Sequence, residues 1–318
     1  MNRPRFHRRS LALARSGAGV VAALLLGGCG KQYVLLHPKG PVGQSELHML
    51  LLASAVMGVV ILFVFVLLAI ALIRFRDRPG RKAPYVPEYA ENKRLETLWF
   101  VIPAVILTII AVPTVRLTYG LAHLPPKRDP VVVDVTSLSW KWLFEYPAQH
   151  LATVNYVVIP AGKPVLFKLT ADSAMNTFWI PALGGMEYTM PGEVLPLWLQ
   201  ANEPGTYWGH SGNFSGVDFE KMFFTVRVLQ SAQFTRWAAH ARRSAPPLTA
   251  QAYHTLLAFG TTGEHTYSSF PAQTFPSEAN GFSLKGGHYV PVTGGGSAPM
   301  PMGLSADAGS PAKGAPHG

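Results

Sequence analysis

The sequence predicts a membrane-anchored protein, in which an α-helical membrane hairpin precedes an all-β sandwich and short C-terminal helices. Three observations support this fold class. Charged residues make up only 14% of the 318 residues, against about 25% in an average soluble domain. Two long apolar runs occupy much of the first 120 residues. From residue 130 onward, short segments rich in Val, Ile, Phe, Tyr, Trp and Thr alternate with turn residues, which is typical of a sandwich or barrel.

The net charge of +10 suggests either nucleic acid or an anionic membrane surface as a partner. Five of the positive charges, however, belong to residues 1–28, which contain no acidic residue. This segment has a basic beginning followed by a short apolar run, Val20–Leu26, as in a secretory signal peptide. Removal of residues 1–28 lowers the net charge from +10 to +5. A nucleic-acid partner is therefore not expected.

The only cysteine of the chain, Cys29, follows Leu26-Gly27-Gly28. A large aliphatic residue and two small residues before a cysteine resemble a bacterial lipobox, in which the signal peptide is cut before the cysteine and the cysteine carries lipid. We therefore predict lipid attachment to Cys29 and a lipid-anchored segment over residues 29–46. The alternative is an ordinary signal cleavage site that happens to contain a cysteine. A single cysteine also excludes a disulfide framework and any multi-cysteine metal site.

Two membrane-spanning helices are predicted, over residues 47–73 and 95–119. The first run has no charge inside, and at ~1.5 Å per residue it exceeds the ~30 Å hydrocarbon core of a bilayer. The second contains Pro103 and Pro113, which membrane helices tolerate. The loop between them, residues 74–94, holds seven basic residues against three acidic ones, so it is predicted to be cytoplasmic. The lipid anchor and the β domain then lie on the outer face of the membrane.

The exported part is divided into three segments. Residues 130–230 contain the short strands. Residues 231–269 are predicted to form a helical appendage, with one helix over Ser231–Arg243 and another over Leu248–Phe259. Residues 270–318 are rich in Gly, Pro, Ala and Ser without a period, which predicts a disordered tail.

Two membrane helices followed by an exported β domain resemble subunit II of the haem–copper terminal oxidases. The resemblance implies a cupredoxin-like periplasmic domain over residues 130–230. Its motifs occur in the order of the family. They are Leu95–Pro103, Trp140-Lys141-Trp142 with Glu145-Tyr146-Pro147, Asn176–Pro181, Met190-Pro191-Gly192 and Glu203–Gly209.

The cytochrome c oxidases of this family hold a dinuclear copper centre. Its ligands are two histidines, two cysteines, one methionine and a glutamate backbone carbonyl, and soft bridging thiolates suit the copper pair. In this sequence only the methionine position keeps a ligand type, so no metal site is expected. His210, next to one of these positions, is interpreted as a surface or turn residue. The positions are Asn176, Ser211, Asn213, Ser215, Phe219 and Met222.

A copper-free subunit II resembles that of bacterial quinol oxidases of the cytochrome bo and ba types. The resemblance implies a proton-pumping ubiquinol oxidase of the bacterial inner membrane, whose subunit I holds the haems and copper, oxidises quinol and reduces dioxygen to water. This chain is then expected to hold no catalytic residue and no cofactor. The implied partners are subunit I, subunits III and IV, membrane lipid and, for the complex, ubiquinol. The alternatives are a cytochrome c oxidase subunit II and a membrane-tethered cupredoxin-like binding lipoprotein.

Glu96 is a carboxylate at the cytoplasmic end of the second predicted span. Ionisable residues at membrane depth are functional candidates. The resemblance assigns this position to the mouth of a proton pathway into subunit I; the alternative is an interfacial carboxylate that snorkels near Arg94. The aromatic strand Trp140-Lys141-Trp142 is expected to pack the β domain against subunit I.

Overall fold

The computed structural model describes residues 33–76, 92–122, 129–272, 274–275, 282–285 and 288–291. The predicted signal peptide, Cys29 and most of the predicted cytoplasmic loop lie outside the described residues. The chain divides into two units, residues 1–37 and residues 38–318. In the first, the structure describes a single 3₁₀ turn at Val34–Leu36. All other elements belong to the second unit.

Two long helices, α1 (Pro41–Arg74) and α2 (Lys93–Leu121), are long and apolar enough to cross a membrane. Their 34 and 29 residues correspond to about 51 and 44 Å, so both exceed a ~30 Å hydrocarbon core. Pro41 suits the first turn of α1, because its missing N–H would have no intrahelical partner there. Asn92 caps α2: its side-chain oxygen accepts hydrogen bonds from the N–H groups of Arg94 and Leu95, each at 3.2 Å.

The apolar surface of α2 is interrupted by four threonines. Each donates its hydroxyl proton to the carbonyl four residues earlier, for example Thr108 to Ala104 at 2.8 Å and Thr114 to Ile110 at 2.8 Å. The hydroxyls are thereby satisfied within the helix, as a lipid environment requires. Most large apolar side chains of both helices are exposed in the isolated chain, which fits helices that face lipid or other membrane helices.

The β domain is a sandwich of two sheets. The strands are β1 (Val131–Leu138), β2 (Lys141–Tyr146), β3 (Leu151–Val154), β4 (Tyr156–Pro160), β5 (Pro164–Ala171), β6 (Asn176–Trp179), β7 (Met186–Thr189), β8 (Leu195–Gln200), β9 (Gly205–Ser211), β10 (Phe223–Leu229) and β11 (His265–Tyr267). The first sheet has the order β11-β3-β2-β1-β5-β8, and the second has the order β4-β10-β9-β6-β7. Most neighbours are antiparallel, whereas β1 pairs with β5, and β4 with β10, in parallel.

An aromatic cluster fills the space between the two sheets. Phe178 and Phe224 stack with ring centroids 5.0 Å apart and planes at 10°. Trp142 meets both rings edge-on, at 5.5 and 5.4 Å. Such pairs add about 0.5–1.5 kcal/mol beyond their buried area. Gly209 lies against this cluster, and a Cβ there would come within 2.1 Å of the Phe224 ring, so only glycine fits.

The predicted helical appendage is confirmed as two helices, α3 (Ser231–Ser244) and α4 (Ala250–Leu257). Helix α3 packs Phe234, Ala238 and Ala241 onto the main core. Helix α4 instead covers the outer face of the first sheet, where Tyr253 and Leu256 meet Leu138, Leu143 and other apolar residues of β1 to β3. The part of the first sheet formed by β1 to β3 is therefore buried on both faces.

Part of the segment predicted as a disordered tail is ordered in the structure. Thr274 and Phe275 are buried, and a two-stranded sheet follows, formed by β12 (Phe282–Lys285) and β13 (His288–Pro291). The composition of the tail gives no sign of this, because the order at Thr274 comes from a contact with Glu145, far away in sequence.

The sandwich is joined directly to both long helices. The Gly43 N–H, in the first turn of α1, donates to the Leu183 carbonyl at 3.0 Å. Glu46 accepts a hydrogen bond from the Gly185 N–H at 2.9 Å. At the end of α2, the Leu121 carbonyl accepts one from the Trp198 indole at 2.7 Å. These bonds attach the sandwich to the N-terminal end of α1 and to the C-terminal end of α2, which lie at the same end of the helical hairpin.

Candidate functional site

The six positions that match copper ligands in the family lie at one end of the second sheet. Asn176 begins β6 and Ser211 ends β9, and these two strands pair with each other. Asn213 and Ser215 lie in the following loop, and Phe219 lies in a 3₁₀ turn, Phe219–Lys221. Met222 directly precedes β10. The fold thus places all six around the loop that connects β9 to β10.

Three of these residues form one hydrogen-bond network. The Ser211 hydroxyl lies 3.1 Å from the side-chain oxygen of Asn176 and 3.2 Å from the backbone carbonyl of Asn213. It also accepts from the N–H groups of Thr177 and Asn213, at 3.3 and 3.4 Å. Asn176 and Ser211 are both buried. Hydrogen bonds therefore hold Asn176, Ser211 and Asn213 close together.

The amide nitrogen of Asn176 extends this network into the sandwich. It donates to the Ala174 carbonyl at 3.2 Å and lies 3.4 Å from the Ser137 hydroxyl. Ser137 in turn is hydrogen-bonded to the Thr189 hydroxyl at 2.8 Å. Buried polar groups must be hydrogen-bonded to avoid a penalty. Asn176 therefore has a structural role at this position, and its side chain is hydrogen-bonded to residues of two strands and of the loop before β6.

The other three positions make different contacts. Ser215 accepts the Trp140 indole N–H with its backbone carbonyl, at 3.3 Å, while its own buried hydroxyl has no partner in the described part of the chain. Phe219 packs its ring against Phe214, with centroids 5.7 Å apart. Met222 is buried, and its backbone carbonyl accepts the Trp142 indole N–H at 3.4 Å.

This donor set does not fit a dinuclear copper centre. A thiolate-bridged pair needs two cysteines, and the serine hydroxyls at 211 and 215 are neutral, hard oxygen donors. The side-chain amide of Asn176 is already engaged in hydrogen bonds inside the sandwich. Within the described ranges, no cluster of three or more His, Cys, Asp or Glu residues could hold a metal ion. The residues present organise the loop between β9 and β10 by hydrogen bonds.

His210 lies in strand β9 rather than in a turn, and it is half-buried. Its ring stacks on Trp208 with centroids 5.0 Å apart and planes at 24°, and it also meets Trp179 at 5.0 Å. One ring nitrogen lies 2.7 Å from the Ser211 carbonyl. Across the ladder it pairs with Phe223, whose side chain is largely exposed. His210 is thus part of an aromatic strip on the outer face of the second sheet.

The residues Trp140-Lys141-Trp142 were expected to pack the β domain against a partner subunit, and two of them do not fit that role. Trp142 is fully buried and belongs to the core, and Lys141 is 4% exposed, so neither is available to pack against a partner subunit. The Lys141 ammonium donates to the carbonyls of Ser139, Ala258 and Gly260, at 3.2, 2.6 and 2.6 Å. Only Trp140 is half-buried, in a turn with a positive φ of 64°.

Glu96 lies in the first turn of α2 and is exposed. Its backbone N–H donates to the carbonyl of Asn92, the residue that caps the helix. A carboxylate in a first helical turn is favoured by the helix dipole. The predicted position of Glu96 at one end of the second span is therefore present in the structure.

Three buried carboxyl groups were missed by sequence reasoning. Burial raises the pKa of Glu145 to about 8, of Asp134 to about 7 and of Asp172 to about 6. All three lie on or beside the outer face of the first sheet, which alternation alone predicts to be solvent-exposed. The covering helix α4 could not be placed there from local sequence.

Comparison with known proteins identifies the relatives of this fold. Residues 42–117 match the family described as cytochrome c oxidase subunit II, transmembrane domain, and residues 131–229 match its periplasmic domain. Quinol oxidase subunit 2 of Bacillus cereus is 41% identical over 249 residues, which cover 77% of this chain and 86% of the relative. The cytochrome bo(3) ubiquinol oxidase subunit 2 of Pseudomonas putida is 37% identical over 236 residues, covering 73% of this chain and 74% of the relative.

Among solved structures, the periplasmic domain of subunit II of cytochrome oxidase (CoxB) of Bradyrhizobium japonicum matches with a TM-score of 0.36 and 23% identity, over 38% of this chain and 98% of that chain. The family matches comprise most of both long helices and the sandwich, so the chain is a membrane protein with an extracytoplasmic domain. By the extent and identity of these matches, the chain belongs to the subunit II family of the haem–copper oxidases, which includes the quinol oxidase subunits.

Proposed function

We propose that this chain is subunit II of a proton-pumping ubiquinol:oxygen oxidoreductase and that it carries no copper centre. One observation carries the proposal: the ligand positions are occupied by Asn176, Ser211 and Asn213, joined by hydrogen bonds, with no thiolate. An oxidase that receives electrons from quinol within the membrane needs no copper relay on its outer face. The relatives described as quinol oxidase subunits support this substrate class.

In this proposal the chain supports subunit I, which holds the haems and the oxygen-reducing copper. Helices α1 and α2 supply an apolar surface for subunit I and lipid. The hydrogen bonds from Gly43 and Trp198 fix the sandwich to the outer ends of these helices. The residues of this chain therefore hold the outer domain in place, and they transfer no electron.

The membrane topology is part of the same proposal. Cleavage before Cys29 and lipid attachment to it place the mature N-terminus on the outer face of the bacterial inner membrane. The basic residues of the loop between α1 and α2 favour a cytoplasmic location for that loop. The sandwich then faces the periplasm. The two signals are independent of each other and support one orientation.

Glu96 is the candidate for proton uptake. At the N-terminal end of α2 it lies on the cytoplasmic side in this topology, and its exposed side chain is accessible to water or to subunit I. We propose that it receives protons at the mouth of a pathway into subunit I. Its carboxylate would act as a local proton acceptor at the membrane surface.

The test is made on the purified complex. Copper and haem are quantified per complex, and turnover is compared with ubiquinol and with reduced cytochrome c. We expect haem, only the copper of subunit I, and turnover with ubiquinol alone. Additional copper with cytochrome c turnover would establish the cytochrome c oxidase alternative. A chain that purifies without any haem-bearing partner would instead support a membrane-tethered lipoprotein.

A further inference from the structure

The outer face of the first sheet carries a buried acidic side chain. Of the described residues after β11, residues 268–272 and 274–275 pass over this face and are called the C-terminal segment below. Glu145, on β2, has no exposed surface. The Thr274 hydroxyl reaches it from the segment that follows β11, and Thr274 and Phe275 are themselves buried at 3% and 6% exposure. The Glu145 carboxyl group thus lies directly beneath this segment and contacts it through Thr274.

The hydrogen bonds at Thr274 indicate which form of Glu145 the site holds. The Thr274 oxygen lies within hydrogen-bond distance of a Glu145 carboxyl oxygen and 2.8 Å from the Pro271 carbonyl. A hydroxyl has one proton to donate. If Glu145 were ionised, Thr274 would face two acceptors and could fully satisfy only one. A neutral Glu145 can donate to Thr274 while Thr274 donates to Pro271, so both bonds form.

The charges around Glu145 favour the same form. Asp134 on β1 lies directly opposite it in the ladder, and the coulombic effect of Asp134 raises the pKa of Glu145 further. Lys168 on β5 lies beyond Asp134, on the side away from Glu145. On β3 the opposite residue is the uncharged Ala152. The second carboxyl oxygen of Glu145 has no hydrogen-bond partner among the described residues.

Among the described residues, the elements above and beside Glu145 also bring no neutralising cation. Helix α4 contributes Tyr253, whose pKa is raised by burial and by the charges of Glu145 and Asp172. Lys141 lies on the same strand, but its ammonium is held by the carbonyls of Ser139, Ala258 and Gly260. Ionisation of Glu145 would therefore place a charge next to Asp134 in a dry environment, which is strongly unfavourable.

We propose that Glu145 and Thr274 form a pH-sensitive latch, in which the protonated carboxyl holds the C-terminal segment on the sandwich and its ionisation releases that segment. The latch faces the compartment into which the proposed oxidase would release protons. Acidification of that compartment would keep the segment docked, and alkalinity would free it. The geometry that supports the latch does not depend on the proposed function.

The direction of the pH dependence follows from the pKa of Glu145, which burial raises from an ordinary value of 4.5 to about 8. Release returns the carboxyl to water and to its ordinary pKa. Below that value both states are protonated and docking is strongest. As pH rises toward 8, the opening equilibrium increases by up to about tenfold per pH unit, and above 8 it becomes constant.

Amide hydrogen exchange of the full solubilised chain tests the latch. The reporters are two hydrogen bonds that close the segment, from the Leu248 N–H to the Ser269 carbonyl and from the Ser268 N–H to the Pro246 carbonyl, both at 2.9 Å. Their protection factors, corrected for intrinsic exchange, are measured from pH 5 to 8.5. Glu145→Gln supplies a neutral side chain that can still donate to Thr274. Glu193→Gln, at an exposed carboxylate, is the matched control.

We expect the protection factors in the native chain and in Glu193→Gln to fall by up to about tenfold per pH unit. In Glu145→Gln the titrating proton is missing, so this contribution to the slope of protection against pH should be lost. Thr274→Val should lower protection even at pH 5. Infrared spectroscopy should show a protonated carboxyl band at neutral pH that Glu145→Gln removes. Equal slopes in the native chain and Glu145→Gln, or the absence of that band, would overturn the latch.

Discussion

The Ser211 hydroxyl lies 3.1 Å from the side-chain oxygen of Asn176, across the pairing of strands β9 and β6. The family resemblance assigns these two positions to copper ligands, a thiolate and an imidazole. In this chain a buried hydrogen bond links the two strands there. The start of the loop between β9 and β10 is therefore tied to β6 by hydrogen bonding.

Ser211→Ala should destabilise the sandwich by about 1–3 kcal/mol, because it leaves the buried oxygen of Asn176 without its donor. The free energy of unfolding of the solubilised chain in denaturant is the measurement. Ser231→Ala, at an exposed serine, should change the same free energy by less than about 0.5 kcal/mol. If both variants unfold alike, the network around Asn176 contributes nothing measurable.

Glu96→Ala should lower quinol oxidase turnover and proton uptake several-fold while the thermal stability of the complex stays unchanged, because the side chain is exposed at the end of α2. Glu96→Asp keeps a carboxylate and should retain most of the activity. Steady-state oxygen consumption and proton uptake are measured together. Native rates in Glu96→Ala would refute a role in proton uptake and leave Glu96 as an interfacial residue.

Lys141→Met should loosen the segment around Ala258 and Gly260, since it removes two hydrogen bonds of 2.6 Å from a buried ammonium. We expect a loss of about 2 kcal/mol in unfolding free energy. Exchange of amide hydrogens in residues 258–267 should accelerate. Lys221→Met is a suitable control, because Lys221 pairs with Asp218 at the surface and such pairs contribute about 0–1 kcal/mol. Unchanged exchange in Lys141→Met would contradict the role of this lysine as an anchor.

Asp172→Asn should stabilise the sandwich at pH 7 and have little effect at pH 4. Burial raises the pKa of Asp172 from 3.8 to about 6, so the folded state loses stability as pH rises between these values. The amide removes that loss, and the full pKa shift corresponds to a gain of up to about 3 kcal/mol at pH 7. Thermal unfolding at both pH values measures it. A gain of equal size at pH 4 would show that ionisation is not its cause.

The elements with a strong local signal could be predicted from the sequence. Helices α1 and α2 follow from composition alone, and the strands follow from β-branched and aromatic residues between turns. The grouping of Asn176 with Ser211 came from the family resemblance, which assigns both positions to one ligand set. These features depend on neighbours in sequence or on the topology of a recognised fold.

The burial of Glu145 and Lys141 could not be predicted in the same way. They alternate with Trp142 and Phe144 along β2, and a charged residue in such a pattern ordinarily faces water. Their burial arises because α4 and residues around Thr274 return to the sheet after more than 100 residues of chain. No local pattern encodes that contact. The expectation that Lys141 and Trp142 face a partner subunit was wrong, because Lys141 is covered by this returning chain and Trp142 lies in the core between the sheets.

The joint between α1 and the sandwich determines how the outer domain is oriented. The first two turns of α1 bond to the 183–185 loop through Gly43 and Glu46, and a side chain on Gly184 would collide with Val42. These contacts link the orientation of the domain to that of α1. A subunit that binds α1 within the bilayer therefore also sets the tilt of the sandwich above it. Such a subunit, bound only at the membrane level, would still control which surface the domain presents outside.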